Sequence, residues 1–260
     1  MTKNSFSCRT IKKVAQRVNF FFSRRSAAGL QLPIPCSAAG GIMHDTYTLF
    51  GTQGCGSTIV AAALALTAFP WGYEEVDYTQ DGPERDRLLA LNPLGQVPTL
   101  VLPNDEVMTE SAAIILLLHD RAPHAELAPP GGSPLLPRFL RWLLFINAEI
   151  YPTFTYADHP QRWQPQAAGA EQLKNAVMAY RERLLQQLNA AAGAAGPWFL
   201  GKSFSALDLY VAVMCHWRPG RAWFRQHCPR LYAIAERVEQ RPELNALLSA
   251  QFDGVAPLES

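Results

Sequence analysis

The stretch that most constrains the fold of this chain is Asn92-Pro93-Leu94-Gly95-Gln96-Val97-Pro98-Thr99-Leu100. It reads as the start of an apolar strand, yet Pro98 has no N–H to contribute to a strand ladder. Shortly after it, Thr109-Glu110-Ser111-Ala112-Ala113-Ile114 has the composition of a helix start followed by an apolar run. Because helix N-termini attract anions, the two stretches together predict an edge that holds a small, peptide-like anion.

Composition argues against several classes of function. The formal net charge of the 260 residues is +1, which gives no reason to expect a nucleic-acid partner. The five cysteines are scattered and include no C-x-x-C pair, so we expect neither a metal site nor a redox pair. Unpaired cysteines of this kind favour a reducing compartment, and we expect a cytoplasmic location. No apolar run approaches the roughly 20 residues that cross a bilayer, so a soluble protein without membrane contact is expected.

The first 42 residues differ in composition from the rest of the chain. Residues 1–42 contain seven Lys or Arg and no Asp or Glu. This composition fits an organelle-targeting presequence, a disordered basic tail, or an extension translated from a start codon upstream of Met43. We favour the last two, because Met43 stands directly before the first convincing strand, and we expect the segment to take no part in the fold.

The predicted order of elements in residues 43–122 is βαβαββα. A glycine-rich loop, Gly51 to Gly56, separates the first strand from a helix that Ser57 opens. Strands are predicted at Tyr47–Phe50, Tyr73–Tyr78, Thr99–Leu102 and Glu106–Met108, and helices at Thr58–Thr67, Glu84–Leu91 and Ser111–Asp120.

Residues 123–136 are rich in proline and glycine and are predicted to be a linker, followed by an all-helical domain over residues 137–260. Phe139–Ile150 is apolar nearly all round, which predicts a buried helix or one at a subunit interface. Apolar residues spaced by three and four from Leu173 to Leu188 predict an amphipathic helix. The sequence from Ser205 to Asp208 predicts a capping box that begins another helix. Further helices are predicted at Tyr232–Gln240 and Glu243–Ala250.

From about Thr46 to Ala250 the chain resembles the soluble glutathione S-transferase family, bacterial type. The resemblance rests on the two motifs above, the βαβαββα order and the Ser-x-x-Asp helix start at Ser205. It implies a thioredoxin-like domain followed by an all-helical C-terminal domain. It also implies glutathione as co-substrate, no metal, conjugation of the glutathione thiolate to small apolar electrophiles, and a homodimer. In such proteins the bond equivalent to Val97–Pro98 is cis, which turns the Val97 peptide groups towards an extended peptide.

The resemblance implies that both motifs contact glutathione. The Ser111 hydroxyl and N–H would hold the γ-glutamyl carboxylate, and Glu110 would accept from the ammonium group. An ordinary helix cap is the alternative interpretation of these two residues. The predicted glutathione-binding set is Gln96, Val97, Pro98, Glu110 and Ser111. The aromatic candidates for an apolar electrophile pocket are Tyr151, Phe154, Tyr156 and Trp217. For each of them, packing in the core is the alternative interpretation.

Catalysis by such a protein requires activation of a thiol whose free pKa is about 8.5. The loop before the first helix contains no tyrosine, so the tyrosine-type transferases are a poor match. We rank Ser57 first as the thiol-activating residue, because we expect it at the helix N-cap, where a plain cap is the alternative. Cys55 is second, with an unreactive loop thiol as its alternative, and Thr52 is third.

The same loop departs from the family pattern at one position. In an ungapped comparison, Gly56 stands where the cysteine-type transferases have their cysteine, so neither Cys55 nor Ser57 inherits that role directly. Three other functions stay open. One is isomerisation or reductive dehalogenation within the same family, which the sequence cannot separate from sulfur transfer. Another is a glutathione-dependent thiol-disulfide reductase that uses Cys55. The third is a non-catalytic, glutathione transferase-like interaction scaffold.

Overall fold

The computed structural model describes residues 46–78, 80–193 and 196–253. The basic segment of residues 1–42, which the sequence predicts to be an extension, lies outside the described residues. Within the described ranges, no helix has the length and apolar character needed to cross a membrane.

A four-stranded sheet forms the first half of the described chain, in the order β2-β1-β3-β4. Strand β2 runs parallel to β1, and β3 is antiparallel to both β1 and β4. The strands and the helices between and after them follow the predicted βαβαββα order. They are β1 (Tyr47–Gly51), α1 (Ser57–Thr67), β2 (Trp71–Glu75), α2 (Pro83–Leu91), β3 (Thr99–Val101), β4 (Val107–Met108) and α3 (Ser111–Arg121).

The rest of the described chain is helical, so the prediction of a thioredoxin-like domain followed by an all-helical one is confirmed. A π-helical turn, Ile146–Ile150, joins the first two of these helices, and short 3-10 turns lie at Pro123–Ala125 and Pro160–Arg162. The domain boundaries at residues 43–122 and 137–260 stay a prediction. The helices are α4 (Leu136–Phe145), α5 (Tyr151–Asp158), α6 (Ala167–Ala191), α7 (Ala206–Met214), α8 (Arg221–His227), α9 (Pro229–Glu239) and α10 (Pro242–Phe252).

Helix α1 connects the two halves of the structure. It packs against α3 and also against α7 and α10. Being covered on several sides, it is apolar nearly all round, and Ile59, Val60 and Leu64 are fully buried. The loop that precedes α1 is therefore held next to the second half of the chain.

Several predicted boundaries differ from the structure. The second strand begins at Trp71 rather than Tyr73, because Trp71 pairs with Tyr47 at the start of the parallel ladder. The helix predicted over Phe139–Ile150 is α4 continued by the π-helical turn, and α8 was not predicted. The predicted linker contributes to the core, since Leu127 is fully buried and its carbonyl accepts the Ala206 N–H at 2.8 Å.

The predicted capping box at the start of α7 is confirmed. The buried Asp208 carboxylate accepts the N–H of Ser205 at 2.8 Å and the N–H of Phe199 at 2.7 Å. Burial raises the pKa of Asp208 to about 7, against the lowering effect of these hydrogen bonds. Both oxygens of this carboxylate therefore accept hydrogen bonds from the backbone, and their role is structural.

Candidate active site

The Val97–Pro98 peptide bond is cis, which confirms the expectation from the resemblance. The buried Asn92 orders the turn before it: its side-chain nitrogen donates to the Gln96 carbonyl at 3.0 Å and to Thr99 Oγ1 at 3.2 Å. Thr99 Oγ1 donates to the same Gln96 carbonyl at 2.9 Å. The N–H and C=O of Val97 have no hydrogen-bond partner among the described residues. The segment before β3 thus offers one free donor and one free acceptor.

The start of α3 lies beside this edge, because β4 pairs with β3 and leads directly into the helix. No side chain caps the helix, and its first turn contains no acidic residue. Glu110, the N-cap residue, has an exposed side chain and a φ of +62°, a left-handed conformation that non-glycine residues rarely adopt. The first N–H groups of α3 are therefore open to an anion from outside the chain.

The Ser111 hydroxyl is bonded to the second half of the chain. It donates to Asn147 Oδ1 at 3.1 Å and lies 2.7 Å from the Tyr210 hydroxyl. Because Ser111 donates its one hydroxyl hydrogen to Asn147, the Tyr210 hydroxyl is the donor to Ser111 Oγ. Burial raises the pKa of Tyr210 to about 12, so this hydroxyl stays neutral. The position of Ser111 at the helix start is thus fixed across the interface between the two halves, while its N–H stays available.

The loop before α1 satisfies its own polar groups. Ser57 is fully buried, and its Oγ donates to the Thr52 carbonyl and accepts the Thr52 N–H, both at 3.0 Å. Thr52 Oγ1 donates to the Val76 carbonyl. Ser57 is the first residue of α1, with Gly56 at the N-cap, so the expectation that Ser57 is the cap is wrong by one position. The Ser57 and Thr52 hydroxyls therefore stabilise the conformation of the loop.

Helix α10 and Trp217 hold the same loop from the second half. The Trp217 indole N–H donates to the Gly54 carbonyl at 2.7 Å. The Gln53 side chain donates to the Ala250 carbonyl at 2.8 Å, and Thr58 Oγ1 donates to the Gln251 side chain at 2.9 Å. These bonds make the loop part of the interface between the two halves.

Cys55 is half-buried, and its Sγ lies 3.8 Å from the Tyr78 hydroxyl. Burial raises the pKa of the Cys55 thiol, and the charges of Glu75 and Asp158 act in the same direction. Its contact with Tyr78 lowers the pKa but is outweighed. Cys55 is therefore a protonated thiol at neutral pH, and a protonated thiol is a poor nucleophile.

An aromatic cluster faces the loop from the second half. The Tyr151 ring makes edge contacts with Phe154, Tyr210 and Trp217, with ring centroids 6.3, 5.9 and 5.5 Å apart. The three predicted pocket residues Tyr151, Phe154 and Trp217 therefore lie together. Tyr156 is separate from them: its ring is partly exposed and packs on Trp163 at 4.6 Å.

Comparisons with known proteins show the family of the chain. The family model described as glutathione S-transferase, N-terminal domain matches residues 57–121, and the one described as glutathione S-transferase, C-terminal domain matches residues 146–251. The chain belongs to the glutathione S-transferase family. An uncharacterized GST-like protein, YncG, of Escherichia coli strain K12 is 43% identical over 77% of this chain and 96% of its own length.

Two further members illustrate the range of the family. The glutathione S-transferase GstA of Escherichia coli O157:H7 is 30% identical over 64% of this chain and 79% of its own length. A glutathione transferase homologue from Sulfitobacter, whose structure contains bound glutathione, superimposes with a TM-score of 0.70. It is 26% identical and covers 79% of this chain and 98% of its own.

Within this glutathione S-transferase family member, sequence reasoning missed the residues that cross the interface. Asn147 and Tyr210 hold Ser111, and Gln251 bonds the first loop. Asn147 had a detectable signal, since it is a polar residue inside the apolar run Phe139–Ile150. Tyr210 had none, because it stands in a run of buried apolar residues whose partners only the tertiary structure reveals.

Among the residues that the structure describes, no group of three or more His, Cys, Asp or Glu side chains is arranged to hold a metal ion. The backbone groups that stay open at the edge formed by β3 and α3 are the peptide groups of Val97 and the first N–H groups of α3. These groups suit a ligand that carries both an amide and a carboxylate.

Proposed function

We propose that this member of the glutathione S-transferase family binds glutathione and transfers its sulfur to small apolar electrophiles. The observation that carries the proposal is the free N–H and C=O of Val97, at a cis-proline edge, beside the uncapped start of α3. Glutathione is an extended peptide with a carboxylate and an ammonium group at its γ-glutamyl end. An amide of the ligand would pair with Val97, and the γ-glutamyl carboxylate would take the N–H groups at Ser111.

The ammonium group of the ligand needs an acceptor close to the same helix start. Glu110 supplies one, because its exposed carboxylate stands one residue before Ser111. Gln96 is exposed on the adjacent edge and is the remaining polar side chain of the predicted set. The peptide groups of Val97 would fix the direction of the ligand, and Glu110 with Ser111 would fix its end.

The reaction is a nucleophilic transfer of sulfur. The thiol loses its proton to solvent, and a sulfur lone pair forms the bond to an electrophilic carbon while the leaving group departs with its bonding electrons. The aromatic side chains of Tyr151, Phe154 and Trp217 form an apolar wall beside the loop, which favours an apolar electrophile. The substrate is thus defined as a chemical class rather than as one compound.

Replacing Glu110 and Ser111 together by alanine tests the proposal. We expect glutathione binding, measured by calorimetry, to weaken at least tenfold, because a charge-assisted acceptor and the anchoring of the helix start are both lost. Glu106→Ala removes an exposed carboxylate of the nearby turn and is the matched control. Tyr210→Phe removes the cross-interface bond of Ser111 but keeps its side chain, and should change the affinity far less. Unchanged affinity in the double variant would contradict the site.

The structure does not favour the thiol-disulfide reductase alternative. A mixed disulfide forms when a thiolate attacks a disulfide sulfur, and Cys55 is held protonated by burial and neighbouring carboxylates. No observation favours the non-catalytic scaffold over the transferase.

We further propose a cytoplasmic homodimer with glutathione as its co-substrate and no metal. Leu144 on α4 is 60% exposed and Leu116 on α3 is 38% exposed, although both are large apolar side chains. Their exposure in a single chain supports a role of these side chains in association. Light scattering of the purified protein should therefore give twice the chain mass.

A further inference from the structure

The hydroxyl of Tyr151 is an unexplained polar group in the core of the interface. It is buried and has no hydrogen-bond partner among the described residues. Buried hydroxyls are nearly always bonded, so an exception calls for a functional reason. The ring is held firmly by its edge contacts with Tyr210 and Trp217, which fixes the direction of the hydroxyl.

This hydroxyl faces Gly56, the last residue of the loop before α1. A Cβ placed at Gly56 would lie 3.5 Å from Cε1 and 3.6 Å from the hydroxyl of Tyr151, and its three nearest heavy atoms all belong to that ring. These are ordinary van der Waals distances, so there is room for a group of methyl size. The backbone of Gly56, at φ −60° and ψ −22°, does not require glycine. Glycine at this position therefore leaves out the methyl group that would contact the Tyr151 hydroxyl.

The other candidates in the loop lack a free donor. The Ser57 and Thr52 hydroxyls donate to backbone carbonyls, and the Cys55 S–H is only a weak donor, with its sulfur 3.8 Å from the Tyr78 hydroxyl. The Tyr73 hydroxyl is also buried without a hydrogen bond, but it lies against Gly51 and not Gly56: a Cβ added at Gly51 would come within 2.6 Å of it. Among the described residues, Tyr151 is thus the unpartnered donor that faces Gly56 at the start of α1.

We propose that Tyr151 is the catalytic residue that donates a hydrogen bond to the glutathione sulfur, in the space that Gly56 leaves open. The inference rests on the proposed function and deepens it, because it moves thiol activation from the first loop to a helix of the second half. The thiol S–H bond breaks, the proton goes to solvent water, and the sulfur keeps the electron pair. Tyr151 keeps its own proton throughout.

The electrostatics of the site are consistent with this role. Burial raises the pKa of Tyr151 well above 10, with a further contribution from Tyr210 and Cys55. The group therefore stays a neutral hydroxyl across the working pH range and acts as a donor. A hydrogen bond donated to an anion is stronger than one between neutral groups, so it stabilises the thiolate relative to the thiol.

Tyr151→Phe tests the inference, with Tyr73→Phe as the matched control. We expect the pKa of bound glutathione, followed by ultraviolet absorbance of the thiolate, to rise by about one to two units in Tyr151→Phe. The kcat/KM for chlorodinitrobenzene should fall about tenfold to a hundredfold at neutral pH and recover partly at alkaline pH. Glutathione affinity should change less than threefold, and Tyr73→Phe should leave all three quantities near their wild-type values.

Gly56→Ala supplies a second test that keeps Tyr151 and its packing. A methyl group in the open space should block the approach of sulfur to the hydroxyl, so we expect a higher thiol pKa and a kcat/KM at least fivefold lower. A wild-type thiol pKa in both variants would overturn the role of Tyr151 while leaving glutathione binding intact. Absence of glutathione binding to the wild-type protein would instead overturn the proposed function.

Discussion

Two helices of this protein start at or beside a serine, and their starts are built differently. At the start of α7, Asp208 accepts two buried N–H groups and completes a capping box with Ser205. At the start of α3, no side chain accepts an N–H group, and Ser111 turns its hydroxyl to the neighbouring half. The α7 start is satisfied by the chain itself. The α3 start, next to the free peptide groups of Val97, is complementary to an external carboxylate.

Asp208→Ala gives the largest expected difference between the two starts. The N–H groups of Ser205 and Phe199 would be buried without an acceptor, which should lower the free energy of unfolding by about 3–5 kcal/mol. Ser111→Ala should lower it by only about 1–2 kcal/mol, because one O–H group, that of Tyr210, loses its acceptor rather than two N–H groups. Guanidinium unfolding curves of the two variants measure this. Equal losses would contradict the distinction between a satisfied and an open helix start.

The pH dependence of stability gives a second test of the capped start of α7. Burial raises the pKa of Asp208 to about 7, above its unfolded value of about 3.9, so the folded state binds the extra proton between these values. The resulting stability is complete below pH 4 and is lost as the pH rises through 7, which amounts to about 2 kcal/mol between pH 5 and pH 7. Unfolding free energies measured at the two pH values should show this loss in the wild type. Asp208→Asn cannot titrate there, so an equal loss in that variant would assign the effect to another group.

The smallest effect is expected at Glu110, where binding and stability should respond in opposite directions. Its φ of +62° favours glycine, so Glu110→Gly should raise the free energy of unfolding by about 0.5–1 kcal/mol. Glutathione affinity should fall several-fold, because the acceptor for the ammonium group is lost. Asp105→Gly is the matched control, since Asp105 has a φ of +63° in an exposed turn. Asp105→Gly should raise the free energy of unfolding to a similar extent but leave the glutathione affinity, measured by calorimetry, unchanged. A similar loss of affinity in Asp105→Gly would show that Glu110 does not contact glutathione.

Local sequence signals predicted much of this architecture. The turn residues and apolar periodicity determine the βαβαββα order, and the Ser205–Asp208 spacing determines the α7 cap, because both depend on neighbours in the chain. The first strand residue of β2 was missed because its pairing with Tyr47 is set by the sheet register. The bonding of Ser57 to Thr52 and the open hydroxyl of Tyr151 depend on loop geometry and on contacts across the interface. No spacing in the sequence encodes them.

Amide NMR spectra of the labelled protein during titration with glutathione distinguish the open start of α3 from the capped start of α7. We expect saturable shifts of the Val97 and Ser111 N–H signals, because these groups gain a hydrogen-bond partner. The Ser205 and Asp208 signals at the capped start of α7 should stay unchanged. Glutathione binding without shifts at Val97 and Ser111, or with its largest shifts at Ser205 and Asp208, would show that the edge formed by Val97 and the start of α3 is not the binding site.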